Sequence, residues 1–380
     1  MRRSHIAAVA VAVLFPIVLV AQAITLPPSG ENQKASVTQH IGPVKVTIDY
    51  SSPDVHAPNG EDRRGKIWGT PVAHYGFIDD PFGTCTECPW RAGANENTVF
   101  TVSHDVKIEG QPLPAGKYGV HLAVAKEGEP WTLIFSKNHT SWGSYFYDPA
   151  EDALRVSVKP ARSEYHEWLT YEFTDRKADR ATVALKWEDV QVPWTITVDN
   201  PTDLYLTRIR QDLRSSPGFN WQNWVAAAQY AMQAKRPKEA VEFAEVAVNR
   251  QFVGTENFQT LNTLASAQEA AGMTAESQVT RDKAMNHRTA SVIDLHQYGR
   301  QLLAQGKKAE ALKVWELNAK RFPNVWPVNV GLARGYSANG RYKDALKYAK
   351  LALAQAPDEV NRKSLEAGVK KLEEGKDWNQ

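Results

Sequence analysis

The sequence predicts a chain of two domains, an antiparallel β-sandwich or jelly-roll-like domain followed by an all-α domain of helical hairpin repeats. Three observations predict this fold class. Apolar residues alternate with period two through residues 35–200, where Gly and Pro separate short runs. From Ser216 onward the apolar period becomes helical and Ala becomes common. Within that helical part, one sequence pattern recurs every 34 residues.

The first 23 residues have the character of an export signal. Two arginines precede an apolar run, and Ala21 and Ala23 supply the small residues of a cleavage site. We therefore expect residues 1–23 to be a cleaved signal peptide, residues 24–33 a flexible leader, and the protein to be periplasmic or secreted. The alternative is an uncleaved membrane anchor. Because the apolar run contains Pro16 and is short, we expect no membrane span after signal cleavage.

Charge divides between the two parts of the chain. Without the signal segment the net charge is zero, which argues against a general nucleic-acid-binding protein. Residues 34–199 carry a net charge of −6, and residues 200–380 carry +7. These opposed charges allow the two parts to dock on each other, or let the helical part prefer an acidic partner. The alternative is that both are solvated surfaces.

Five alternating runs define strands in the first domain, which we place at residues 34–199. The runs lie at 44–50, 118–124, 154–158, 183–187 and 194–198. Turn signals of Gly and Pro stand between them, as in an all-β sandwich or barrel. Seven of the 12 Trp lie in this domain, most at positions expected in the core.

The helical domain repeats a Gly that is followed five residues later by Ala. The clearest copies are 306–311 and 340–345, with weaker copies at 272–277 and 235–240. Gly can end a first helix in a left-handed conformation, and the small residue lets two helices approach closely.

This spacing resembles the tetratricopeptide repeat over about residues 219–357. It implies a linker at 200–215, then repeats and a C-terminal cap over 216–378. Three residues depart from the small or apolar residues usual in that family: Arg281, Asn318 and Asn329.

Three segments of the β-domain together resemble a secreted bacterial family named domain of unknown function 2911. They are Trp-Arg-Ala-Gly-Ala-Asn-Glu at 90–96, a strand and turn at 105–118, and Trp-Gly-Ser running to Tyr-Asp at 142–148. The resemblance covers about residues 34–198. It implies a β fold and an exported protein, and it implies no activity. The loop at 73–89, which carries both cysteines, is longer than the usual family pattern.

Cys85 and Cys88 form the sharpest local motif. Such a pair can be a redox dithiol, half a zinc site or a small-loop disulfide. The pair lies in a loop of an all-β region, without the helix N-terminus that lowers a thiol pKa, and no second cysteine pair exists. We therefore expect a disulfide that staples the loop. The histidines of this domain lack metal-binding spacing, so we expect no metal and no cofactor.

Trp90, Arg91, Asn95 and Glu96 are the best candidates for a ligand-binding site. An arginine, an amide and a carboxylate on one glycine-bent segment can converge on a single ligand. The structural alternative is that Glu96 pairs with Arg91 while Asn95 closes a turn.

The repeat frame also predicts a partner groove along the first helix of each hairpin. The expected mid-helix row is Gln229, Ser266, Arg300 and Arg334, and the row one turn earlier is Val225, Asn262, His296 and Val330. Residues four apart share one helical face. Two arginines on adjacent helices suit a carboxylate, either of a partner or of the acidic β-domain.

These features favour an exported, non-enzymatic scaffold that binds a protein or peptide through its helical repeats. One alternative is an envelope hydrolase acting on glycan or peptide near Arg91 and Glu96. Another is a glycan-binding sandwich, which would need flat, solvent-facing Trp rings. The sequence offers no catalytic residue for either alternative.

Overall fold

The computed structural model describes residues 32–380, which belong to two compact units that divide between Pro201 and Thr202. The predicted signal peptide and most of the predicted leader lie outside the described residues. No helix within 32–380 combines the length and the apolar character that crossing a membrane requires.

The first unit consists of antiparallel β-strands in two sheets. The strands are β1 (Gln33–Ile41), β2 (Val44–Ser52), β3 (Thr98–Val102), β4 (Val106–Ile108), β5 (Gln111–Leu113), β6 (Gly116–Ala123), β7 (Trp131–Ser136), β8 (Asp152–Val158), β9 (Ala161–Arg176) and β10 (Arg180–Thr197). One sheet has the order β1-β2-β3-β6-β7-β8, and the other has the order β5-β4-β10-β9. The predicted antiparallel all-β class is confirmed.

The alternation of apolar residues arises because every second side chain of a strand points into the core. In β2, Val44, Val46 and Ile48 are fully buried, while the residues between them face outward or are half-buried. The two sheets meet through aromatic rings, for example the edge-on pair of Tyr50 in β2 and Tyr171 in β9, whose centroids are 4.8 Å apart.

Two predicted strands, 183–187 and 194–198, are one strand of 18 residues, β10. Its pairing with β9 changes register on both sides of Glu188, whose φ is +55°. An extra residue in a strand moves the following side chains to the other face. Odd-numbered residues such as Leu185 are therefore buried before this bulge, and even-numbered residues such as Trp194 after it. The change of phase made one strand look like two.

Loops cover the second face of the six-stranded sheet. The His121 ring of β6 packs edge-on against Tyr147 of the loop between β7 and β8, with ring centroids 5.1 Å apart. A small cluster on this face contains Cys85, Cys88, Ile134 and Tyr147. The sheet is thus buried on both sides along β6, which explains why β6 is continuously buried from Tyr118 to Ala123.

The second unit consists of helices in a tetratricopeptide-like arrangement. They are α1 (Pro201–Asp212), α2 (Trp221–Gln233), α3 (Pro237–Asn249), α4 (Phe258–Ala270), α5 (Thr274–Asn286), α6 (Val292–Ala304), α7 (Lys308–Arg321), α8 (Trp326–Ala338), α9 (Tyr342–Ala354) and α10 (Glu359–Glu373). Consecutive pairs from α2/α3 to α8/α9 form hairpins, and α10 packs on α9 as the predicted cap. The repeat glycines turn the hairpins, with φ of +78° at Gly306 and +75° at Gly340.

The segment 200–215 is largely helical rather than an irregular linker, because it carries an apolar stripe of its own. Leu206, Ile209 and Leu213 recur at helical spacing, and the first and last are 1% and 8% exposed in the core of the first repeats. Asp203 in the first turn of α1 also pairs with Arg236 at 2.6 Å.

The three polar departures from the repeat pattern are buried and hydrogen-bonded. Arg281 donates to Glu269 at 2.7 Å, Asn318 donates to the carbonyl of Val292 at 2.9 Å, and the Asn329 amide donates to a side-chain oxygen at 2.8 Å. Because such hydrogen bonds offset much of the cost of burying a polar group, these residues fit the helical interior, although the Asn318 Oδ1 has no partner within residues 32–380.

Candidate functional site

Cys85 and Cys88 are joined by the predicted disulfide. The two residues are 2% and 1% exposed. The backbone amide of Cys85 donates to the carbonyl of Tyr145 at 3.1 Å, and that of Cys88 donates to Ile78 at 2.8 Å. These hydrogen bonds hold the loop against residues 78 and 145, and the disulfide is closed to solvent reactants.

The segment 90–96 is held by its own contacts. Trp90 is 4% exposed and stacks on Trp187 with centroids 6.0 Å apart. The Arg91 guanidinium donates to the carbonyl of Asn95 at 3.1 Å and lies 4.7 Å from the ring centroid of Tyr145. Asn95 has a φ of +57°, so it closes a tight turn, as the structural alternative expects.

Glu96 does not pair with Arg91 and contacts other residues. Its carboxylate pairs with Lys34 at 3.0 Å and accepts from the Ser51 hydroxyl at 3.3 Å. Desolvation acts to raise its pKa, but hydrogen bonds from its own amide, Lys34 and Ser51 hold that pKa below its ordinary value. Glu96 lines a different cavity from the one that Arg91 and Asn95 line. The structure thus does not bring the Arg91 and Glu96 side chains together on one ligand position.

A buried histidine lies behind this segment. His121 of β6 is 1% exposed, and its Nδ1 lies 3.1 Å from the hydroxyl of Ser144. Burial, and then the Arg91 charge, lower the His121 pKa to about 3, so the ring is neutral. His121 lies on the face of β6 opposite Tyr118, and the burial of this face by loops could not be predicted from the alternation of the strand alone.

In the helical unit, three predicted groove residues gather where α6 meets α8. Arg300 is exposed on α6, and its charge acts on both His296 and Arg334. His296 is 8% exposed beside Trp315, and its Nδ1 has no hydrogen-bond partner within 32–380. Burial, and then the two arginines, lower the His296 pKa to about 4. His296 is therefore neutral near pH 7.

Arg334 is engaged by residues that follow α10. Its guanidinium lies 4.6 Å from the ring centroid of Trp378 and donates to the side-chain oxygen of Asn379 at 3.3 Å. The amide of Trp378 donates to the hydroxyl of Ser337 at 2.8 Å. The Trp378 ring also fills the space above Gly368, where an added Cβ would lie 2.4 Å away. Residues 377–380 therefore cover this end of the groove.

The other predicted groove positions divide between surface and core. Gln229 is exposed on α2, and Asn262 is half-buried and accepts from Arg281 at 3.3 Å. Val225 and Val330 are 2% and 8% exposed, so they belong to the helical core rather than to a groove lining. Val225 and Val330 lie one helical turn before the mid-helix row, on the apolar stripe of their helices. This stripe packs against the neighbouring helices, so both side chains are buried.

Among residues 32–380, no group of three His, Cys, Asp or Glu side chains is placed to hold a metal ion. Four Trp of the β-unit, Trp90, Trp131, Trp187 and Trp194, are buried and form part of its core.

A family model described as "Protein of unknown function (DUF2911)" matches residues 32–196. The matched residues span nearly all of the described β-unit, which we call the DUF2911 unit. The resemblance expected from residues 90–96 and the later segments is confirmed, and the description of DUF2911 assigns no activity. No curated protein matches the chain.

Several solved structures resemble the helical part that follows the DUF2911 region. A tetratricopeptide repeat protein from Parabacteroides merdae is 15% identical with a TM-score of 0.32; the match covers 40% of this chain and 60% of that protein. MamA is 18% identical with a TM-score of 0.29, and the match covers 40% of this chain and 85% of MamA. YrrB, described as a TPR protein with an unusual peptide-binding site, is 16% identical, with a TM-score of 0.28 and coverage of 44% of this chain and 89% of YrrB.

The structure also shows a cleft in the DUF2911 unit that sequence analysis missed. Its lining comes from separate segments of the chain, including Trp68, Trp131, Tyr165 and Glu188. Its lining residues lie far apart in the sequence and share no spacing that would have identified them.

Proposed function

We propose that this protein is an exported scaffold whose helical repeats dock an acidic peptide segment, with the DUF2911 unit as a second, separate module. The observation that carries this proposal is Arg300, an exposed guanidinium on α6 with no ion pair to any residue of 32–380. Arg300 lies near the cation Arg334 and lacks a counter-charge, and a carboxylate would supply one with matching geometry.

The surroundings of Arg300 support an anionic partner. Arg334 lies close enough for its pKa to be lowered, first by burial and then by the charge of Arg300. His296 beside them is buried and neutral near pH 7, so the two arginines supply the positive charge of this region. Residues 200–380 carry net +7, which would steer an acidic segment toward this unit. A groove of this type suits a peptide better than a small anion, because adjacent helices repeat the same face.

Export rests on the sequence of residues 1–23 and on the compartment chemistry of cysteine. Disulfides persist in the periplasm and outside the cell, and Cys85 and Cys88 form one. The contacts of Arg91 and Glu96 with separate partners favour neither a glycan platform nor a hydrolase site at these residues.

The docking proposal is tested by titrating the exported protein with a fluorescent Glu-rich peptide and with the same peptide carrying Gln for Glu. We expect the Glu peptide to bind at least about tenfold more tightly, with affinity that falls as salt rises. Arg300→Ala should weaken binding of the Glu-rich peptide by about tenfold. Lys313→Ala removes the same charge from the exposed side of α7 and should change affinity by less than about twofold.

Equal binding of the two peptides, or an unchanged affinity in Arg300→Ala, would contradict the proposal. Arg300 is the better residue to substitute in this test, because Arg334 also contacts Trp378 and Asn379 and its removal would disturb local packing.

A further inference from the structure

The DUF2911 unit contains a cleft of about 630 Å³ that none of the predicted site residues lines. We call it the Trp68 cleft; its walls include Trp68, Tyr75, Trp131, Tyr165 and Glu188. Its volume falls within the roughly 300–1,000 Å³ of small-molecule sites. The cleft lies wholly within the β-unit, so a ligand bound there would be independent of the proposed docking groove.

The aromatic wall of the Trp68 cleft is rigid at its base. Trp68 contacts three other tryptophans, with ring centroids 5.0 Å from Trp131, 5.5 Å from Trp90 and 5.9 Å from Trp187. The indole N–H groups of Trp68 and Trp131 are buried and have no hydrogen-bond partner within residues 32–380. Rings fixed in this way present their electron-rich faces without further loss of side-chain freedom.

Two tyrosines make the accessible part of the wall. Tyr75 and Tyr165 are 45% and 46% exposed. The Tyr75 ring packs on Gly69, where an added Cβ would lie 2.2 Å from it, so this ring is also held in place. The cleft therefore combines an aromatic base with exposed aromatic sides.

Glu188 supplies a buried acid at the bulge of β10. It is 6% exposed and accepts a hydrogen bond from the backbone amide of Gly65. No Lys, Arg or His of the described chain forms an ion pair with it. A carboxylate that is removed from water without a cation is costly, and a bound cation would offset that cost.

The other charges of the cleft already have partners. Arg64 pairs with Asp62 at 2.7 Å, and Arg162 pairs with Asp189 at 2.8 Å. Arg162 also lies 3.5 Å from Glu127. Two arginines and three acids line the cleft, so its charge is −1, and Glu188 is the acid without a cation among the described residues.

We propose that the Trp68 cleft binds an organic cation, with the positively charged nitrogen beside the Glu188 carboxylate and the carbon skeleton against the Trp68, Trp131 and tyrosine rings. Aromatic faces attract ammonium and guanidinium groups, and the effect grows when water is excluded. Two sources supply this chemistry: a free amine or quaternary ammonium compound, and a Lys side chain of a peptide.

The test is calorimetric titration of the exported full-length protein with matched probes. The cationic probes are choline, for a free compound, and N-acetyl-lysine amide, for a peptide side chain. The neutral probes are the choline isostere with carbon in place of nitrogen, Nε-acetylated N-acetyl-lysine amide, and cellobiose. We expect one cationic probe to bind saturably and at least about tenfold more tightly than its neutral counterpart. The better of the two cations identifies the source.

Variants locate the binding within the cleft. Glu188→Gln keeps an oxygen for the Gly65 amide and should lose about tenfold in affinity for the cationic probe. Tyr75→Ala removes an exposed ring and should lose about threefold or more. Glu172→Gln is the matched control: this acid of β9 is 52% exposed, pairs with Lys186 and lies outside the cleft lining, so affinity should change by less than about twofold.

Four results would overturn the proposal. They are binding of no cationic probe, equal binding of a cation and its neutral counterpart, unchanged affinity in a folded Glu188→Gln protein, and binding of cellobiose without binding of either cation. The comparison of charged and neutral probes uses the unaltered chain, so the test does not depend on the folding of any variant.

Discussion

His296 is the groove residue whose chemistry depends most on its surroundings. It shares a helix face with the exposed Arg300, yet its ring is buried beside Trp315. Burial comes first and the charges of Arg300 and Arg334 next in lowering its pKa to about 4. One helical face thus presents a charged group to solvent and a neutral polar group one turn away.

We expect acid to destabilise the helical unit through His296. An unfolded histidine has a pKa near 6.5, so below that pH the unfolded chain binds a proton that the folded chain does not bind until about pH 4. The contribution to stability is complete above about pH 6.5 and falls as pH decreases toward 4. Between pH 6.5 and 5 the loss should be about 1–2 kcal/mol.

Urea unfolding followed by the helical circular dichroism signal at these two pH values measures this loss. His296→Gln should remove most of the pH dependence of the helical transition. Carboxylates contribute little in this window, since their unfolded pKa values lie below it. An equal pH effect in the variant and the parent would show that His296 is not the titrating group.

Trp315 organises packing at the scale of whole helices. It is fully buried on α7, and its indole N–H donates to the carbonyl of His296 at 3.2 Å. Glycines of both neighbouring helices make room for it: an added Cβ would lie 2.4 Å from the ring at Gly299 and 2.5 Å at Gly331. The pattern explains why glycine, normally a poor helix residue, recurs inside α6 and α8.

Gly331→Ala should therefore destabilise the protein, although the same change in an open helix position stabilises by up to ~1 kcal/mol. Overpacking against an indole that cannot move costs about 1–3 kcal/mol, so the clash should win. Chemical denaturation of the helical transition measures the difference, with Gln229→Ala on the exposed face of α2 as control. Combining Gly331→Ala with Trp315→Leu should cost less than the sum of the two changes; additivity would rule out the clash.

The secondary structure was predictable where the apolar residues of a strand or helix keep a single period along its whole length. The repeat spacing identified the hairpins, because each needs a left-handed glycine and a small residue at its crossing. Prediction failed where local geometry changes the period. The bulge at Glu188 divided β10 into two apparent strands, and α1 precedes the first repeat, so the 34-residue spacing could not reveal it.

At the scale of the whole molecule, sites depend on folding more than on sequence proximity. Arg91 and Glu96 are five residues apart but turn to different partners, Tyr145 and Lys34. The Trp68 cleft has the opposite character, because its residues come from distant segments that meet only in the folded sandwich. No sequence pattern connects such segments, so the cleft required the structure, whereas the helical groove followed in part from the repeat.

The proposed export of the chain gives a prediction about the molecule as a whole. We expect the exported protein to begin at Ile24 and to have no free thiol, because cleavage follows Ala23 and an oxidising compartment maintains the Cys85–Cys88 bridge. Intact mass and thiol titration of the denatured, unreduced protein measure both properties. Residues 24–380 produced without the signal in a reducing cytoplasm are the control and should show two reactive thiols when denatured. An exported chain that begins at Met1 would contradict the signal peptide, while free thiols in a correctly cleaved chain would contradict only the disulfide, so the two parts of the prediction can fail separately.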